Sequence, residues 1–351
     1  MPRRDIIVIG GSAGSLDAVT EIVAKLPADL AAAVFVVLHV SPTRASTLPE
    51  ILTRAGRLPA IHPADNQPIE YGRIYVAPPD RHLLIENRHI NIVHGPKENR
   101  SRPAIDPLFR SAAINYGPRA VGVVLSGSLD DGTAGLYAMK KVGAVTIVQL
   151  PSDATYSSMP ESAISQNSVD YIVPAAEIGP LLQQLVEREV VPEPRVEAVS
   201  NNLRTEVEIS RQEIDSKELI DAVQSLGRLT MFTCPECHGT LWEMKNGDLV
   251  RYRCHVGHAF SIESLDGEQG EKLEAALWSA LRALEERGAL ARRLAKQAQG
   301  NARFTMAEKF RERARQADED AGTIREILLA DPERALLAAR SGAQTANQQT
   351  Q

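Results

Sequence analysis

Three side chains of this sequence have the types and settings to act together as an activated nucleophile: Ser12, His39 and an aspartate at 130 or 131. Residues 7–18 read IVIGGSAGSLDA, an apolar run that enters a glycine-rich turn and then a helix-like stretch, with Ser12 at the corner. Gly10-x-Ser12-x-Gly14 has the spacing of a strand–nucleophile–helix turn, in which small neighbours leave the hydroxyl accessible. A helix starting beyond Ser12 would aim free backbone N–H groups at an oxyanion formed there; the donors expected by position lie near Ala13 and in the Gly127–Leu129 turn. Serine is a weak nucleophile at its own pKa and needs an adjacent base. His39 can be that base, because it closes the second long apolar run, AAAVFVVLHV, and strand ends of an open α/β sheet converge on one edge. The imidazole needs a carboxylate to orient it. VGVVLSGSLDDGTAG offers Asp130 and Asp131, one of which could serve only to cap the next helix. The rival reading is a phosphate cradle. A dinucleotide turn would want glycines where Ser12 and Ser15 stand, and an acidic residue where His39 stands.

A second constellation suits a metal. Cys234 and Cys237 form a C-x-x-C turn, sixteen residues separate Cys237 from Cys254, and His258 comes four positions later. Two such turns joined by a short hairpin fit tetrahedral zinc with three sulfurs and one nitrogen. Four protein ligands leave no open position, so the ion would be structural, and a module this small would depend on it to fold. His255 is the rival ligand but sits too close to Cys254 for the usual loop, and His238 is less suited still. A redox C-x-x-C would need a thioredoxin-like context, which is missing. Arg251, Arg253 and Lys245 make nucleic acid thinkable here, but the charge is not concentrated enough to prefer it.

The elements that must position these groups can be read from periodicity. DIIVIG, AVFVVLHV, RIYVAP, AVGVVLSG, AVTIVQ and VDYIVP are nearly continuous apolar runs, as strands buried on both faces of a parallel sheet should be. Helix-like spacing between several of them predicts a doubly wound, mostly parallel α/β sheet. HLLIENRHINIVHG reads as an added antiparallel hairpin. Residues 1–188 therefore read as the catalytic domain, 189–230 as a linker with two prolines in VVPEP, and 231–267 as a zinc-ribbon-like module. Residues 268–330 carry two amphipathic patterns that predict a helical hairpin suited to self-association, and 331–351 read as a disordered tail. The net charge of −6 over 351 residues gives no reason to expect nucleic acid as a partner. No signal peptide and no run near the ~18 apolar residues of a membrane span is present, so a cytoplasmic protein without membrane insertion is expected.

Taken in order, IGGSAGSLDA, VVLHVSP, IYVAPPDRHL, HGPKENRSRPAIDPLFRSAA, VGVVLSGSLDDGTAGL and SMPESAI resemble the CheB-type protein-glutamate methylesterases of bacterial chemotaxis-like systems, over about residues 5–185. The resemblance implies Ser12 as nucleophile, His39 as base and Asp131 as orienting carboxylate, Asp131 being chosen because it directly precedes Gly132. It implies hydrolysis of γ-glutamyl methyl esters on methylated chemoreceptor-like proteins, with no catalytic cofactor; some members also deamidate glutamine. The opposing methyltransferase or other signalling proteins are further partners in that setting. Arg102 and Asp106 lie in a matching segment and read as structural rather than substrate contacts. Well-known members carry Thr after the nucleophile and Gly-Met-Gly-Asn before the Asp, where this sequence has Ala13 and Gly-Ser-Leu-Asp; those changes reshape the rim and leave the triad. An N-terminal receiver is not expected, and similar ribbon-plus-helix tails occur in some receiver-less relatives. The competing expectation is a non-catalytic scaffold that works through its ribbon and helical tail.

Overall fold

In the computed structural model of the chain, the described residues are 3–190, 199–211, 216–246 and 249–330. They divide between Asp266 and Gly267 into two compact units. The first opens with β1 (Ile6–Gly11), α1 (Ser15–Ala24), β2 (Ala33–Leu38), α2 (Leu48–Ala55), β3 (Ala60–Ile61), β4 (Gln67–Pro68) and β5 (Ile74–Val76). It continues with the hairpin β6 (His82–Glu86) and β7 (His89–Val93), then α3 (Ile105–Tyr116), β8 (Ala120–Val124), α4 (Thr133–Lys141) and β9 (Val145–Gln149). After these come α5 (Ser158–Gln166), β10 (Tyr171–Val173) and α6 (Ala175–Glu187).

Among the described residues, β10-β9-β8-β1-β2-β5-β3 make a seven-stranded sheet in which every recorded pairing is parallel. Successive side chains of a strand leave on opposite faces, and both faces here are covered. Ile7 and Ile9 of β1 join Val34 and Val36 of β2 under Val19, Ile22 and Leu182 from α1 and α6. Ile6 and Val8 join Phe35 and Val37 under Leu108, Phe109 and Leu136 from α3 and α4. That double burial explains why the strands read as unbroken apolar runs. β1 lies at the point where the chain, having wound outward through β2, returns to wind the other way through β8 and β9, and open α/β sheets bind ligands at such a switch point. The expected hairpin pairs antiparallel, as β6 with β7, and β4 joins its edge.

The stretch read as a linker is corrected in part. It contains α7 (Asn201–Arg211) and α8 (Ser216–Leu226). Glu206, Val207, Ile209 and Ser210 of α7 are buried. The proline-rich signal marks only residues 191–198, which lie outside the described residues; α7 beyond it hides those four positions at helical spacing. Next, β11 (Arg228–Thr233), β12 (Thr240–Asn246), β13 (Leu249–Cys254) and β14 (Ala259–Ser261) pair antiparallel in that order. This ribbon belongs to the first compact unit.

The boundary between the units falls within α9 (Ile262–Gly300). In the second unit, α9 and α10 (Phe304–Leu329) run antiparallel along a seam of buried alanines that includes Ala291, Ala295, Ala314, Ala317 and Ala321. Glu285 pairs with Arg325, Arg292 with Asp318 and Gln299 with Arg311, three contacts at seven-residue steps in opposite directions along the two helices. The tail expected over 331–351 lies outside the described residues. Among them no helix is long and apolar enough to cross a membrane.

Candidate functional site

β1, β2 and β8 end side by side, and the residues just past their ends meet. His39 Nδ1 is 3.0 Å from Ser12 Oγ, and His39 Nε2 is 2.8 Å from Asp131 Oδ2. An Asp131 carboxylate accepts the Nε2–H, which leaves the Nδ1 lone pair facing the serine hydroxyl: the protonation pattern a general base needs. Backbone bonds fix the geometry, with Ser12 N–H donating to Ser126 O at 2.9 Å and His39 N–H to Gly11 O at 3.2 Å. The glycines are there for close approach. A Cβ on Gly10 would lie 2.3 Å from Ile105 Cγ2, and one on Gly127 2.0 Å from Met159 Sδ and 2.8 Å from Ser12 Cβ. Gly14, at φ 72°, turns the chain into α1 with a backbone that side-chain-bearing residues avoid.

Asp131 is only 2% exposed, and it is heavily solvated by donors. Besides the imidazole it accepts the Ile105 N–H at 2.7 Å, the Asn99 amide at 2.9 Å, the Gly132 N–H at 3.0 Å and the Asp106 N–H at 3.3 Å. Burial alone would push its carboxyl up; the His39 hydrogen bond and charge, with these donors, hold it below the ordinary value. Two of the donors are the first N–H groups of α3, the positive end of that helix. Asp106, beside it, is pushed up to about 7 by burial and by the Asp131 charge. Asp130, the alternative acid, points elsewhere: it accepts the Ser261 hydroxyl at 2.6 Å and does not touch the imidazole. Arg102 pairs with Asp80 at 2.7 Å, as a structural contact would.

Of the expected oxyanion donors in the Gly127–Leu129 turn, the Gly127 N–H is already committed to Tyr156 O at 3.0 Å, which removes it from that set. Ala13 is exposed two residues ahead of α1, and nothing among the described residues accepts its N–H. Beside Ser12 and His39 opens a cleft of about 370 Å³, walled by Leu16, Leu38, Val40, Leu48 and Ile51, with Arg44 at one side. Hydroxyl, base and cleft together can take an acyl group from a carbonyl substrate.

The four metal-type residues also converge. The ligand atoms of Cys234, Cys237, Cys254 and His258 all lie within 4.8 Å of one another, and the group could hold a metal ion. His238 and His255 are not in it. The three cysteines form no disulfide. Cys237 Sγ–Cys254 Sγ is 3.6 Å, and His258 Nδ1 stands 3.7 and 3.6 Å from Cys234 and Cys254.

Sequence reasoning missed how this ribbon meets the sheet domain. Arg251 and Arg253 of β13 are buried and face Glu98 and Glu206. Arg251 is bidentate to Glu206 at 2.6 Å on both oxygens, and Arg253 is 3.3 Å from Glu98 and 3.5 Å from Glu206. Arg110 of α3 completes the cluster, 2.5 Å from Glu98. Burial would raise both glutamates, but the Arg110 and Arg253 charges hold Glu98 far below its usual range, and Arg251 and Arg110 hold Glu206 down to about 2.

A sequence model of the family described as CheB methylesterase matches residues 7–182. A Leptospira interrogans protein provisionally named protein-glutamate methylesterase/protein-glutamine glutaminase is 35% identical over 182 residues, 52% of this chain and 94% of its own length. Protein-glutamate methylesterase/protein-glutamine glutaminase 3 of Burkholderia lata is 36% identical over 178 residues, 50% of this chain but 49% of its own, so the chain spans about half of that relative. Among solved structures, the Thermotoga maritima CheB methylesterase catalytic domain superposes with a TM-score of 0.50 at 30% identity, covering 53% of this chain and 100% of that one.

Proposed function

The chain belongs to the CheB methylesterase family, and on that premise we propose that it hydrolyses glutamate γ-methyl esters on chemoreceptor-like proteins through Ser12, His39 and Asp131. The observation that carries this reading is the unbroken contact from Ser12 Oγ through both nitrogens of His39 to Asp131. Ser12 Oγ attacks the ester carbonyl as His39 Nδ1 takes its proton, and Asp131 steadies the imidazolium from the other side. The Ala13 N–H, which meets no acceptor among the described residues, is the proposed oxyanion donor, two residues ahead of the positive end of α1. His39 then protonates the departing methoxide, methanol leaves, and water repeats the cycle on the acyl-enzyme. A glutamine side chain would take the same route with ammonia as leaving group. The apolar cleft suits a helical receptor segment that presents its modified side chain to Ser12.

Zinc is proposed at Cys234, Cys237, Cys254 and His258. Tetrahedral bonds of ~2.3 Å to sulfur and ~2.0 Å to nitrogen put ligand atoms ~3.5–3.8 Å apart. Three of the six separations, at 3.6–3.7 Å, match that tetrahedron, and all six are within 4.8 Å. Its role would be structural. The hairpin of α9 and α10 is offered as a surface for self-association or for other signalling proteins.

The test is methanol release from membranes carrying methyl-labelled receptors. Wild-type protein should release methanol and Ser12→Ala should not. Equal release by both would overturn the esterase reading, and an unchanged signalling phenotype in cells carrying Ser12→Ala would favour a scaffold.

A further inference from the structure

The ribbon reaches the catalytic acid through one residue. Residues 97–99 run beside β14: Asn99 N–H donates to Ala259 O at 2.8 Å and Ala259 N–H to Lys97 O at 3.2 Å. Ala259 directly succeeds His258, the last residue of the metal group. The Asn99 side-chain carbonyl accepts the Ser261 backbone N–H at 3.1 Å and the Ser264 hydroxyl at 3.3 Å. A backbone N–H can only donate, so the Oδ1 of Asn99 must face the ribbon. The amide NH2 is thereby turned the other way, where it bridges Asp106 Oδ2 at 3.0 Å and Asp131 Oδ1 at 2.9 Å. Ser261 also holds the neighbouring Asp130 at 2.6 Å. Asn99 is 8% exposed and carries φ 47°, a left-handed backbone that asparagine tolerates better than most residues.

We infer that the ribbon is part of the esterase's positioning machinery: with its metal group occupied, it holds Asn99 with the amide turned to Asp131, and so sets the acid that orients His39. This rests on the proposed esterase and on the proposed zinc. Asn99 touches no reacting atom; it is a positioning residue, and the ribbon decides which way its amide points. Removing the metal frees the turn before Ala259, lets β14 part from residues 97–99, and takes the Asn99 amide from Asp131 Oδ1, leaving that oxygen to the Gly132 and Asp106 N–H groups alone. Two carboxylates, Asp106 and Asp131, then face each other without the NH2 between them.

The experiment uses the full chain and p-nitrophenyl acetate, an ester that needs no receptor, measured with zinc bound and after stripping by a chelator. Stripping should lower kcat about tenfold with KM within twofold, and re-added zinc should restore it. Asn99→Gly keeps the backbone conformation and removes the amide; it should show the same loss in kcat, and stripping it should cost nothing more. Asn99→Asp keeps the shape but sets a third carboxylate against two others, and should lose about a hundredfold. Equal losses on stripping in wild type and Asn99→Gly overturn the inference, as does Asn99→Gly within twofold of wild type. Hydrolysis unaffected by Ser12→Ala removes the esterase reading beneath it, whereas a chain that hydrolyses fully without binding zinc removes only the metal's part and overturns the inference with it.

Discussion

Substituting Glu206 by Gln tests whether buried charge holds the ribbon in place. Glu206 is 1% exposed, and Arg251, Arg110 and Arg253 all lie within 3.6 Å of its carboxylate. With Glu98 it gives the cluster two carboxylates for three guanidiniums. Neutralising it leaves one carboxylate among three buried cations, and breaking such a pair costs ~3–5 kcal/mol. The same magnitude emerges from linkage. Burial works against the charged form, but the arginines outweigh it and lower the carboxyl from 4.5 to about 2; at ~1.4 kcal/mol per tenfold change in proton affinity this is worth about 3 kcal/mol. A depressed carboxyl stabilises the fold above its unfolded value and loses that contribution as pH falls through the folded one. The wild-type advantage should therefore be complete above pH ~5 and about halved by pH ~3. The two tryptophans are Trp242, in the ribbon, and Trp278. In a Trp278→Phe background, urea unfolding monitored by Trp242 fluorescence should place Glu206→Gln about 3 kcal/mol below wild type at pH 7. A difference under ~1 kcal/mol, or one that does not shrink at acid pH, would refute the claim that this cluster carries the docking.

Asp131→Asn should lower kcat for ester hydrolysis by about 10³–10⁴, because an amide NH2 in place of Oδ2 opposes the Ile105 N–H and favours the wrong imidazole tautomer; single-turnover kinetics check it. Asp130→Asn, which touches Ser261 and not His39, should cost far less in the same assay. Gly127→Ala places a methyl 2.0 Å from Met159 Sδ and 2.8 Å from Ser12 Cβ, so it should destabilise by ~1–3 kcal/mol and lower kcat as Ser12 shifts, read by thermal unfolding and hydrolysis together. Cys234→Ser should abolish stoichiometric zinc binding, measured by atomic emission on the purified chain.

The sheet and the triad were legible because each rests on a local signal. Strands covered on both faces read as apolar runs, and a parallel sheet gathers their ends on one edge, so Ser12, His39 and an aspartate at 130 or 131 could be placed together from local signals, the choice of Asp131 resting on the family resemblance, although His39 and Asp131 are 92 positions apart. Asn99 left no such trace, and Asp106 was marked only by the family resemblance and read as structural. Their importance comes from α3 and the 97–101 loop being pressed against the end of β8, and neither sits at a strand end where the eye would look. The linker was misread for a related reason. Its prolines occupy only the first part, and α7 buries Glu206 and Ser210, residue types that sequence patterning assigns to solvent.

The same difficulty conceals the ribbon's docking face. LVRYRC alternates Leu249, Arg251 and Arg253 on one side with Val250, Tyr252 and Cys254 on the other, which ordinarily means a strand with its charged side in water. Here the arginine side is also covered, Arg251 at 4% and Arg253 at 0% exposure, because two glutamates from outside the ribbon meet it. Glu98 comes from the loop that carries Asn99, and Glu206 from α7. Neither glutamate has a local sequence signal, and the pairs span up to 155 positions. The arginines that made nucleic acid thinkable are therefore spent internally. A ribbon free to swing would leave two guanidiniums without their carboxylates, and that cost holds β13 on Glu98 and Glu206 while the metal group orders the turn that leads into β14.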